Sequence, residues 1–176
     1  AGSGPDHSCL LAVEAAVVPL PCERMAFPYR AAGRRAPDRA PVLLESVREH
    51  ASRLVARTRI RPSRLVLGGR SMGGRMCSMA VAEGLPARAL VLISYPLHPP
   101  GKPEKLRVEH LPKITVPCLF VHGTRDPFGT PDDLREWTAT IPGDVTHHFI
   151  DGGRHDLARK DAEVATVVRE WLCTLR

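Results

Sequence analysis

One serine in this chain stands between two glycine pairs: residues 65 to 75 read LVLGGRSMGGR, with Ser71 at the centre. Gly69-Arg70-Ser71-Met72-Gly73 fits G-x-S-x-G, a pattern that lifts a serine onto a sharp corner between a strand and a helix. A serine hydroxyl is too weak an acid to attack a carbonyl unaided. It needs a base to take its proton and an acid to orient that base and balance its charge. His155, in FIDGGRHDL, and Asp126, in CLFVHGTRD, are of those types and follow Ser71 in the order Ser, Asp, His. The chemistry of such a set is acyl transfer through a covalent serine intermediate. The backbone N–H of Met72, opening the helix after the serine, would stabilise the oxyanion, and such a donor contributes about 3 kcal/mol.

Each residue also has an ordinary reading. G-x-S-x-G alone is short, and Ser71 taken singly fits a glycine-rich turn. The apolar strand before it, the helical spacing after it, and an acid and a base in register favour the catalytic reading. Asp126 precedes Pro127, a turn signal in its own right. It is preferred over Asp151 because it lies one strand–helix unit upstream of the base, and over Asp156 because a neighbour of His155 is badly placed to orient it. His147 and His148 fall within a strand and His122 precedes a glycine at a strand end, so these three read as structural or partly exposed. Two rival glycine motifs fail: Gly74 is followed by Arg75 and Met76 rather than the Lys-Ser/Thr of a P-loop, and His7 occupies the third glycine of a dinucleotide fingerprint.

The elements that must position these side chains are legible as apolar runs and helical stripes. Strands are expected at Cys22–Phe27, Leu65–Gly68, Ala89–Ser94, Cys118–His122 and Val145–Ile150. A helix over Pro41 to Arg57 would put Leu43, Val47, Ala51 and Leu54 on one face. Met76, Met79, Ala80 and Ala82 mark another over Arg75 to Gly84. Asp132, Asp133 and Glu136 favour a helix start near Thr130–Pro131, and Val164, Val167, Val168, Trp171, Leu172 and Leu175 form the stripe of a last helix. Continuously apolar strands alternating with amphipathic helices imply a parallel sheet covered on both faces, in an α/β three-layer sandwich. In such sheets ligands sit at the C-terminal strand ends, where Ser71, Asp126 and His155 all fall. Pro96 to Pro112 is a proline-rich excursion between two strands, too short for a separate domain.

At 176 residues and 43% hydrophobic, the chain suits one domain over 1–176 with one sizeable core. No run of apolar residues is long enough to span a membrane. The formal charge of +6 comes with scattered arginines and 5% aromatics, without the stripe that nucleic-acid binding uses. Five cysteines, Cys9, Cys22, Cys77, Cys118 and Cys173, lie far apart with no CxxC, so neither a metal, a cofactor nor a redox pair is signalled. Buried thiols and a cytoplasmic location are the expectation.

Taken jointly, FPYR (27–30), GGRSMGGR (68–75), YPLHPPGKPEKLR (95–107), HGTRDPFGT (122–130) and GGRHDL (152–157) resemble the small, lidless α/β-hydrolases of the dienelactone-hydrolase-like, KANL-type group. The resemblance covers essentially the whole chain. It implies the α/β-hydrolase fold, a Ser71–His155–Asp126 triad and no cap domain. In that family the loop after the third strand reads roughly His-Gly-Ala-Gly, and its backbone completes the oxyanion hole. The opening AGSGPDH resembles that loop without its leading His-Gly, which would make Ala1 and Gly2 backbone donors beside Met72. The family's sheet order, 1-2-4-3-5-6-7-8, then implies an N-terminally truncated portion lacking strands 1 to 3. An upstream coding sequence for an apolar strand ending in His-Gly would bear this out. Pro19 and Pro21 stand where the family runs from helix into strand 4, so that strand is expected to be distorted.

The leading functional expectation is a serine hydrolase acting on a carboxylic ester or related acyl bond of a small molecule. Arg30, Lys102 and Arg125, in loops, would favour an anionic substrate. The alternative is a non-catalytic α/β-hydrolase-fold module used for protein interaction. An intact acid and base in register argue against it.

Overall fold

The computed structural model describes residues 4–175. Four strands form one wholly parallel sheet: β1 (Val66–Arg70), β2 (Ala89–Ile93), β3 (Cys118–Gly123) and β4 (Val145–Ile150), in spatial order β1-β2-β3-β4. Among the described residues six α-helices accompany them: α1 (Ser8–Ala16), α2 (Pro28–Ala31), α3 (Ala40–Thr58), α4 (Met72–Ala82), α5 (Pro131–Thr138) and α6 (Asp161–Thr174). All four strands run the same way, so their C-terminal ends share one edge of the sheet. Ser71, the turn after β3 and the loop after β4 therefore open on the same side.

β2 and β3 are buried along their whole length, which is why their sequences are apolar without alternation. Their two faces supply two cores. Leu90, Leu92 and Phe120 pack with Leu43 and Val47 of α3 and Met76 and Ala80 of α4. Val91, Ile93, Leu119 and Val121 pack with Cys9 of α1 and Val164, Val168 and Trp171 of α6. α3 extends the expected helix by one residue at each end, with the αL residue Arg59 closing it. α5 begins with a capping box, Thr130 and Asp133 each bonding the other's backbone N–H.

Two expectations are corrected. Cys22–Phe27 is not a strand: residues 21–27 have no regular structure and join no ladder. Pro19 and Pro21 remove two donors just ahead of it, and although β1 pairs only with β2 among the described residues, a gap keeps the segment from bonding the other edge of β1. A cavity of about 460 Å³ lies between this segment and β1, with Val13, Met25, Phe27, Tyr29, Val47 and Leu172 in its walls. The helix after Ser71 begins at Met72, three residues earlier than its apolar spacing suggested. The expectation of further strands ahead of Ala1 lies outside the described residues.

The thiols divide. Cys9, Cys77 and Cys118 are buried, and burial pushes the last two up to about 12, whereas Cys22 and Cys173 are exposed, contrary to a uniformly buried set. Among the described residues no helix is long and apolar enough to cross a membrane.

Candidate active site

The corner between β1 and α4 is built by backbone contact. Ser71 has φ 53 and ψ −121, a conformation that non-glycine residues rarely adopt. It is held by Ser71 N–H donating to the Ile93 carbonyl at 2.8 Å and by Arg75 N–H donating to the Ser71 carbonyl at 3.1 Å. Strand and helix approach so closely here that a Cβ on Gly69 would sit 2.6 Å from Gly73 C and Gly74 N. A Cβ on Gly74 would sit 2.6 Å from Gly69 O, and one on Gly68 would sit 2.9 Å from Val91 O. Gly73 is different: a Cβ there meets nothing within 4 Å. The motif's second glycine is thus not the one that sterics demand at this corner; its neighbour Gly74 is.

Ser71 occupies the N-cap position of α4, yet its side chain caps nothing. Its Oγ lies instead 2.8 Å from Nε2 of His155. Nδ1 of the same ring lies 2.8 Å from Oδ2 of Asp126. Asp126 is only 4% exposed and can only accept in its ionised form, so Nδ1 carries the proton and Nε2 is left bare to accept from the serine hydroxyl. Oδ1 of Asp126 accepts the Phe128 N–H at 2.9 Å. The Phe128 ring stands edge-on to the imidazole, centroids 4.3 Å apart, limiting its rotation. First-turn N–H groups of α4, Met72 among them, have no intrahelical acceptor and sit at the positive end of the helix dipole.

The loops bearing Asp126 and His155 are fastened to each other. Arg125 N–H donates to the Gly153 carbonyl at 2.8 Å and Thr124 N–H to the Ile150 carbonyl at 3.0 Å. Gly123 faces Gly153 so tightly that a Cβ on Gly123 would lie 2.3 Å from Gly153 O. Leu157, 1% exposed, anchors the far end of the base loop.

A family model described as an alpha/beta hydrolase domain matches residues 1–172. The chain belongs to the α/β-hydrolases. Solved structures agree in fold. An α/β serine hydrolase homologue from Coxiella burnetii matches with a TM-score of 0.77 and 14% identity, over 97% of this chain and 79% of that one. An α/β-superfamily protein from Xanthomonas campestris, described as a hydrolase, matches at 0.70 and 23%, over 98% and 94%. Another protein from that species, an α/β serine hydrolase without a lid, matches at 0.73 and 19%, over 97% and 76%.

Within this α/β-hydrolase, the structure brings Ser71, His155 and Asp126 together as one chain of contacts and opens α4 at Met72. Ala1 and Gly2 lie outside the described residues. Arg30 is half-buried on α2, and Lys102 and Arg125 are exposed. Among the described residues, none of the three hydrogen-bonds to Ser71, His155 or Asp126. His147 bonds Thr138 Oγ1 at 2.8 Å and His148 faces Glu163 at 3.5 Å, both away from the serine.

Three residues border the site: sequence reasoning gave no role to Phe128 or Arg70 and read His122 only as structural or partly exposed. Phe128 packs on the base. Arg70 Nη2 donates to the His155 carbonyl at 2.9 Å. His122, fully buried, donates Nε2–H to the Gly129 carbonyl at 3.0 Å and lies 3.6 Å from Oδ2 of Asp126. Burial lowers its pKa, which Asp126 and the bond to Gly129 only partly oppose, so it stays neutral. The one sequence signal for these residues was position: Arg70 lies inside G-x-S-x-G, and Phe128 and His122 lie two and four places from Asp126.

Proposed function

We propose that this α/β-hydrolase cleaves a carboxylic ester or related acyl bond by way of an acyl-enzyme on Ser71. What carries the reading is the unbroken path from Ser71 Oγ through both nitrogens of His155 to Asp126, each step 2.8 Å. His155 Nε2 takes the hydroxyl proton as Oγ bonds to the substrate carbonyl carbon. Asp126 stabilises the imidazolium through Nδ1–H. Negative charge gathers on the carbonyl oxygen, where the Met72 N–H and the α4 dipole favour it. The imidazolium then protonates the departing alcohol, and the oxygen re-forms its double bond. In the second half, water attacks the acyl group, His155 takes the water's proton, and Ser71 leaves with its proton restored. Ala1 and Gly2 are the proposed source of a second oxyanion donor.

Turnover of a panel of p-nitrophenyl esters tests this. Ser71→Ala and His155→Ala should each lower kcat by about 10⁴-fold or more with the fold intact by circular dichroism. Ester turnover at wild-type rate in a folded Ser71→Ala protein would contradict the reading, and a folded wild type that turns over none of the panel would favour a binding module.

A further inference from the structure

Arg70 is the position that G-x-S-x-G leaves open, yet its side chain reaches across 85 residues of sequence to the carbonyl of His155. The next residue, Ser71, meets the ring of that same histidine. Two adjacent residues at the end of β1 therefore hold one residue of a distant loop, one by its backbone and one by its side chain. We propose that Arg70 is a positioning residue for the acyl transfer, a strap that fixes the base loop against the serine corner. The proposal rests on the triad reading given above.

Topology shows why a strap is needed. β4 lies three strand spacings from β1, a span of about 14 Å. His155 leaves the β4 end on a loop without regular structure and must reach back over β3 and β2 to Ser71. That loop is tied on the near side by Gly153 N–H to the Ile150 carbonyl and by the Arg125 N–H, and on the far side by buried Leu157. Neither tie touches His155 itself. Among the described residues, the Arg70 contact is the one hydrogen bond to the main chain of His155. It fixes the peptide from which the imidazole projects.

Arg70 is suited to the task. It shares one face of β1 with Val66 and Gly68, so it leaves the sheet on the face that α1 and α6 cover. There its charge is also felt by His7, which caps α1 by accepting the Cys9 N–H. A half-buried guanidinium is a planar, permanently charged donor, and its bond to a carbonyl is charge-assisted. Its Nη2 donates to the His155 carbonyl, so its proposed action is through the base.

The test uses p-nitrophenyl acetate turnover and fluorophosphonate labelling of Arg70→Met, Arg70→Lys and His155→Ala. A base displaced by about 1 Å costs up to about 10²-fold, so Arg70→Met should lose about 10- to 100-fold in kcat with KM within about three-fold. Arg70→Lys, which keeps the charge and a donor, should recover part of the loss. Adding Arg70→Met to His155→Ala should slow labelling no more than about two-fold, because a strap has no role once its base is gone. Wild-type kcat in folded Arg70→Met, a raised KM with kcat unchanged, or the same loss in both backgrounds would overturn the proposal. If Arg70→Met does not fold, Arg70→Gln, too short to reach the carbonyl, takes its place in the cycle. Ser71→Ala separates the two ideas: if it still turns over, the triad fails, whereas inactive Ser71→Ala beside a wild-type-like Arg70→Met sinks the strap alone.

Discussion

Asp126 shows how much a single side chain depends on its surroundings. Its carboxylate is buried beside two imidazoles, His155 at 2.8 Å and His122 at 3.6 Å, with the Phe128 N–H on its other oxygen. Only an acceptor at Oδ2 keeps the His155 proton on Nδ1. An amide there presents either a donor, which turns the tautomer over, or a weaker neutral acceptor. Asp126→Asn should therefore lower kcat by about 10⁴-fold while KM changes little, as steady-state ester kinetics would show. A loss below about ten-fold would mean that Asp126 does not hold the base. At this level the sequence was legible for residues whose chemistry is the message: a serine among glycines, an acid, a base. It was silent on Arg70 and Phe128 and gave His122 no more than a structural or partly exposed reading, because what they do follows from which backbone groups the fold brings beside them.

The β1–α4 corner makes its own demands. Since Gly69 and Gly74 touch across it, Gly69→Ala should destabilise the protein by about 1–3 kcal/mol in urea unfolding. Gly73→Ala meets open space and should be neutral or stabilise by about 0.4–1 kcal/mol, through lower entropy of the unfolded chain. Equal destabilisation by both would contradict this account of the corner. A second joint ties α4 to the proline-rich excursion. Ser78 Oγ donates to the Arg75 carbonyl and meets His110 Nε2 at 2.8 Å, so the imidazole is the donor in that pair. This serine–histidine contact is therefore a strap rather than a second nucleophile and base.

Burial first, and then Arg75, lower the His110 pKa to about 4. Between pH 6.5 and 4 the unfolded chain binds the proton and the folded one resists it, so stability falls as pH falls through that window. His110→Gln should reduce the slope of unfolding free energy against pH there. An unchanged slope would show that His110 does not titrate as its burial implies. The segment at 21–27 shows where element reading stopped: a run forms a strand only when it comes close enough to a free edge to bond it, and that approach is not written in the run itself.

Over the chain as a whole, four parallel strands, two helical layers and the Ser, Asp, His order were readable beforehand. Apolar strands and helical stripes report burial, and burial on both faces leaves few arrangements. Less readable was the joining of distant loops, which rests on backbone contacts such as Gly123 with Gly153, at positions where glycine signals only that something comes close. The sheet places its three chemical residues at one edge because every strand points the same way, so the site is a property of the topology as much as of its side chains.

The most direct test is to react the folded protein with a fluorophosphonate and map the adduct by peptide mass spectrometry. The account predicts one modified residue, Ser71, formed slowly or not at all when His155 is replaced by alanine. Modification of another side chain, or of Ser71 at an equal rate without His155, would contradict it.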